Sequence, residues 1–165
     1  MNLDVSNIGK SQLNQSIHYS YPTEIDIYGQ AVLKRNTNLD SLKTSQFNPA
    51  LGVNIIFSLN GELSGNVICQ MDIDQDNFSF EKQALTTESM NILIGQMLTN
   101  FEKETGLLIT IGNPSLVKQD HSFFASLENH PHNINLKTDY SLFTLESKID
   151  CSLFLFAQKV TPREI

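Results

Sequence analysis

The chain has 165 residues, of which 40% are hydrophobic, so it carries enough apolar material for the core of one domain, with or without an extended arm. Its net charge of −7 and pI near 4.9 exclude the basic face that a nucleic-acid binder or a protein adhering to anionic lipid would need. Two cysteines, Cys69 and Cys151, do not make a disulfide scaffold in a chain of this length.

Residues 1–23 are rich in Asn, Ser and Gln and read as an arm that is poorly ordered or supported by a partner. Ile25 and Ile27 alternate with polar neighbours, as in a half-buried strand, and the polar composition from Asn36 to Pro49 marks a loop. Residues 1–49 are therefore set apart as an arm with one strand, ahead of a domain over 50–165. Val53, Ile55, Phe57 and Leu59 then alternate toward Asn60-Gly61, a pair that suits a type I′ hairpin turn. The return strand places Leu63, Gly65, Val67, Cys69 and Met71 on one face, and both cysteines, each within its own apolar, strand-like segment, are expected to be buried free thiols. Gly65 in mid-strand predicts a bulge or the close approach of another backbone. The run Asp72-Ile-Asp-Gln-Asp76 lacks the glycine and the later bidentate glutamate of an EF-hand loop and reads as a solvated turn.

The most legible element follows. Met90, Leu93, Ile94, Met97, Leu98 and Phe101 recur at helical spacing and form one apolar stripe. Such a helix begins near Thr86 or Thr87, or earlier at Phe80 if Ser79 is its cap, and ends near Glu104 with Gly106 in the C-capping position. Glu88, Asn91, Ile92, Gly95 and Thr99 project away from the stripe. An acid and a carboxamide thus point outward one turn apart. Gly95 adds a flat spot where another backbone can come close, at a cost of about 1 kcal/mol relative to Ala. Ile92 is the large apolar residue on this side. Leu107 to Ile111 form a buried strand that stops at Gly112-Asn113-Pro114, because proline cannot donate to a sheet ladder. His121, His130 and His132 fall in a polar, irregular stretch without a third ligand at zinc-binding spacing. Two strands over 134–146 and 149–159 close the chain, and Leu153-Phe-Leu-Phe-Ala157, apolar on both faces, suits the middle of a sheet. The expectation is an α+β domain with a mostly antiparallel sheet and one long amphipathic helix.

The helix and the residues after it resemble the CheC/CheX/FliY family of response-regulator phosphatases. That family's pattern is Asp or Ser, three residues, Glu, two residues, Asn, twenty-two residues, Pro. Glu88-Ser-Met-Asn91 supplies the acid and the carboxamide, and twenty-two residues separate Asn91 from Pro114. The hairpin Gly61-Glu-Leu-Ser-Gly-Asn-Val67 ahead of the helix is also similar to the family's. The likeness covers roughly residues 50–160. Two departures stand out: the position four before Glu88 is Ala84, and residues 1–49 do not look like the family's opening helix.

A single Glu-x-x-Asn site makes the chain more similar to CheX than to two-site CheC. The resemblance implies a cytoplasmic homodimer that hydrolyses the aspartyl phosphate of a CheY-type receiver domain, in chemotaxis or a related two-component pathway. Asn91 would hold the attacking water, Glu88 would pair with a receiver lysine, and Ile92, Gly95 and Pro114 would shape the docking face. The chain would need no cofactor of its own, magnesium belonging to the receiver. The competing expectation is a non-catalytic, CheX-like dimeric adaptor that binds a receiver or a flagellar-switch protein. For Glu88 a purely structural use is also available, since an acid near a helix N-terminus interacts favourably with the helix dipole.

Overall fold

A computed structural model of the protein describes residues 10–36, 52–73, 79–117 and 134–160. The loop expected over 37–49, the aspartates Asp74 and Asp76, and the histidines His121, His130 and His132 lie outside the described residues. The elements in chain order are α1 (Lys10–Ser20), β1 (Glu24–Ile27), β2 (Ala31–Arg35), β3 (Val53–Gly61), β4 (Leu63–Met71), α2 (Phe80–Thr105), β5 (Ile109–Ile111), β6 (Ser115–Val117), β7 (Ile134–Thr144) and β8 (Lys148–Lys159). All eight strands join one sheet in the order β1-β2-β7-β8-β4-β3-β5, with β6 pairing β3 beside β5, and every pairing is antiparallel. The fold is α+β, as the pattern predicts.

Alternation sets the core. Val53, Ile55, Phe57 and Leu59 of β3 and Leu63, Val67, Cys69 and Met71 of β4 face the helices and are buried with the α2 stripe. Ile56, Ile68, Phe154 and Phe156 are buried on the opposite face of the sheet. Strand β8 lies in the middle, between β7 and β4, which accounts for its two apolar faces. At Gly65 a Cβ would stand 1.9 Å from the Phe156 carbonyl oxygen, so the expected close approach is that of β8. The two thiols are free and buried, and the adjacent Cys151 sulfur, reinforced by burial, pushes the Cys69 thiol up.

Three expectations need correction, and one open alternative is decided. First, residues 10–20 are a helix and not a loose arm. Leu13 and Ile17, one turn apart, are buried with Tyr21 in the common core, and Asn100 donates to the Ser20 carbonyl at 3.0 Å, tying α1 to α2. Strands β1 and β2 extend the same sheet, so the described part of 1–49 belongs to the domain's single core. Helix α1 draws its stability from that docking, which polar composition conceals.

Second, Asn60-Gly61 is not a type I′ turn, because Asn60 lacks the positive φ such a turn demands. Both residues instead pair with β5, and Gly61 alone takes φ 117°. The chain then turns at Glu62, whose carboxylate accepts from the Leu108 amide at 2.6 Å.

Third, β5 is not a buried strand. Leu108 is exposed, Ile109 and Ile111 are half-buried, and only Leu107 enters the core. Of the two starts open for α2, the earlier one holds: the helix begins at Phe80. The Ser79 hydroxyl caps it by accepting from the Lys82 amide at 3.2 Å, seven and eight residues before Thr86 and Thr87. Gly106 closes the other end as expected, in a left-handed conformation with φ 75°.

Candidate functional site

Helix α2 presents its stripe to the sheet and its opposite side to solvent. Met90, Leu93, Ile94, Met97 and Phe101 are at most 1% exposed, which anchors the helix rigidly and fixes what points outward. Glu88 and Asn91 are both exposed and lie one turn apart. Neither side chain has a hydrogen-bond or ion-pair partner among the described residues, where the salt bridges are Lys137–Asp139 and Lys148–Asp150.

Beside them is a shallow groove of about 380 Å³ lined by Phe80, Gln83, Ala84, Thr87, Glu88, Asn91 and Pro114. Pro114 reaches it from the turn between β5 and β6, where Gly112 donates its amide to the Ser58 carbonyl at 2.8 Å and so holds that turn against β3. A residue twenty-two positions beyond Asn91 thereby faces the same hollow as Asn91.

Two of the anticipated docking residues sit elsewhere. Ile92 is half-buried and packs against the core, because it lies on the flank of the stripe. Gly95, one turn beyond Asn91, is half-buried but outside the groove. Outside its own helix backbone, a Cβ built on Gly95 meets no atom of the described residues within 4 Å, so their packing does not require a glycine there. Conversely, Phe80, Gln83, Ala84 and Thr87 join the site because the helix begins two turns before Thr87. The signal for them was Ser79, a cap residue read only as an alternative start.

Two other hollows among the described residues differ in character. One of about 440 Å³ lies between the first turns of α2 and the β7–β8 turn, and another of about 530 Å³ near β7 and β8 is lined by Asp72, Asp139 and Asp150. Two of these acids are engaged: Ser152 donates to Asp139 and Ser141 to Asp150, each at 2.8 Å. No cluster of three or more His, Cys, Asp or Glu side chains is placed to hold a metal among the described residues. No helix among them is long and apolar enough to cross a membrane.

Elsewhere, the imidazole of His18 on α1 lies against Arg35 of β2, whose Nη2 donates to His18 Nε2 at 2.6 Å. Burial, reinforced by the Arg35 charge, holds the His18 pKa below its usual 6.5. Tyr140 donates its hydroxyl to the Pro22 carbonyl, and burial raises its pKa.

No protein-family model matches the chain, and no curated protein matches its sequence. Solved structures of similar fold include a chain of the CheX–CheY–BeF3–Mg complex from Borrelia burgdorferi, at 16% identity and TM-score 0.43, covering 91% of this chain and 96% of that one. A CheC-like superfamily protein from Shewanella sp. PV-4 is 14% identical with TM-score 0.45, covering 93% and 98%. The FliM middle domain from H. pylori is 9% identical with TM-score 0.44, covering 89% and 82%.

Proposed function

We propose that the protein is a CheX-like phosphatase that hydrolyses the aspartyl phosphate of a response-regulator receiver domain. The observation that carries this reading is the exposed pair Glu88 and Asn91, without a partner among the described residues, one turn apart on a rigid helix and sharing a groove with Pro114. Hydrolysis forms a bond from water oxygen to phosphorus and breaks the bond from phosphorus to the aspartyl oxygen. The products are inorganic phosphate and a free carboxylate. Such a reaction needs a positioned water and stabilised charge more than covalent help. The Asn91 carboxamide suits both tasks: its carbonyl accepts from the water while its NH₂ donates to a phosphoryl oxygen. Glu88 takes a lysine of the receiver and sets the register of docking. Magnesium and the phosphorylated aspartate belong to the receiver, and the working assembly is a homodimer.

The test is phosphate release from receiver domains of the same organism, charged with acetyl phosphate, in the presence of wild-type protein or Asn91→Ala. Wild type accelerates release, and the variant loses about 10²-fold or more of that acceleration, the scale seen when one transition-state donor is removed. Because Asn91 is exposed, its truncation leaves the fold intact. Equal rates for the two proteins refute the assignment. Ala84, which brings no polar group to the groove, favours a second reading as a non-catalytic adaptor on a receiver or flagellar-switch protein. Persistent binding without acceleration by either protein selects it.

A further inference from the structure

Phe80 is 85% exposed on a first helical turn whose Glu81 and Lys82 are exposed as well, so nothing in the described chain covers its ring. It lines the same groove as Glu88 and Asn91. Phe80, Ala84, Glu88 and Asn91 follow one another at spacings of four, four and three, and therefore share one helix face. Between the ring and the carboxylate, Ala84 contributes only a methyl group, which leaves a hollow there.

We infer that Phe80 is the apolar anchor that seats the receiver, acting across the hollow that Ala84 leaves open; the inference rests on the phosphatase reading above. At about 1.5 Å per residue, Phe80 stands about 12 Å along the axis from Glu88 and about 16 Å from Asn91. The receiver surface that fits presents an apolar patch about 12 Å from the lysine that meets Glu88 and about 16 Å from its phosphoryl group. Charge favours this occupant. Glu88 is the one charged lining residue of the groove and has no ion pair among the described residues, so the groove complements a cationic, partly apolar surface. A second copy docked symmetrically through the same groove would bring two Glu88 carboxylates, and no cation from the described lining, into one interface. Aromatic side chains, Phe among them, are also enriched in the buried cores of protein interfaces.

The experiment titrates the full chain against receiver domains of the same organism trapped with beryllofluoride and magnesium, alongside steady-state hydrolysis of the acetyl phosphate-charged forms. Phe80→Ala raises Kd and KM at least tenfold and lowers kcat far less, Phe80→Leu recovers most of the binding, and Asn91→Ala loses hydrolysis while retaining Kd within a few-fold. Wild-type binding matched by Phe80→Ala overturns the anchor and leaves the phosphatase reading standing. A Phe80→Ala effect on sedimentation from dimer to monomer, or on thermal stability, in place of binding also overturns it, by assigning the ring to a second copy or to the chain itself. Failure of the wild type to bind or dephosphorylate any receiver overturns both readings.

Discussion

Gly95→Ala separates what the fold needs from what docking needs. Gly95 sits in the interior of α2, in right-handed helical conformation, with its carbonyl accepting from the Thr99 hydroxyl at 2.9 Å. Outside the helix's own backbone, a methyl group added there meets no atom of the described residues within 4 Å, so no overpacking among them offsets the gain. The gain has two sources: Ala orders more cheaply than Gly from the unfolded chain, and it shields helix backbone from water. Together they are about 1 kcal/mol at an interior position. For a chain of this size that raises Tm by about 2–4 °C. Urea denaturation followed by far-UV circular dichroism, with calorimetry for Tm, measures it. A lower midpoint, or none of the expected rise, refutes the reasoning, because it means some part of the molecule packs against the bare backbone at Gly95. If the flat spot serves a partner, the stabilised variant binds its receiver more weakly than wild type, and stability and docking move in opposite directions.

Two further predictions concern polar groups, one fully buried and one half-buried. Thr86 is fully buried, and its hydroxyl finds no hydrogen-bond partner among the described residues. An unmade hydrogen bond in a core costs about 1–3 kcal/mol, so Thr86→Val, nearly isosteric and similar in helix propensity, is stabilising by about 1 kcal/mol in urea denaturation; destabilisation would show that the hydroxyl is satisfied. His18 has its pKa lowered by burial and by Arg35, so the unfolded chain protonates first as pH falls. Its contribution to stability is complete above pH 6.5 and is lost as pH falls through the lowered folded value. Urea midpoints at pH 7.5 and 5.5 differ more for wild type than for His18→Gln, and equal differences refute the assignment.

The fold was legible wherever one periodicity dominated. The α2 stripe, the β3–β4 alternation and the two-faced β8 each announce their burial, and the structure places them accordingly. Elements whose order comes from neighbours were not legible. Helix α1 has two buried apolar side chains within its length, Leu13 and Ile17, and its identity depends on α2 beside it. Strand β2 shows Ala31 and Leu33 as its alternation, too short a signal to stand without β7 alongside. Asn60-Gly61 carries a strong local turn signal, yet pairing with β5 prevails over it. Much of the candidate site was legible for the same reason as α2: Glu88 and Asn91 are fixed by the phase of the stripe. The groove's upper half was not, because the stripe begins at Met90 and says nothing about the turns preceding it.

Those preceding turns decide how Glu88 is to be understood. Had α2 started at Thr86 or Thr87, Glu88 would lie in the first turn, where an acid gains about 0.3–1 kcal/mol from the helix dipole. With the start at Phe80, Glu88 lies about 12 Å further along, beyond the reach of that effect. The acid in the first turn is Glu81. Glu81→Gln therefore costs about 0.3–1 kcal/mol in urea denaturation at low salt, and Glu88→Gln stays within about 0.3 kcal/mol of wild type. If Glu88→Gln costs as much as Glu81→Gln, the helix starts later than Phe80 and the dipole is a sufficient reason for an acid at that position. If Glu88→Gln leaves stability unchanged, an exposed carboxylate with no intramolecular partner among the described residues stands where the fold has no use for it. The same variant then goes into the receiver titration, where a weakened complex assigns the carboxylate to a cation on the partner and an unchanged one leaves it a solvated surface charge.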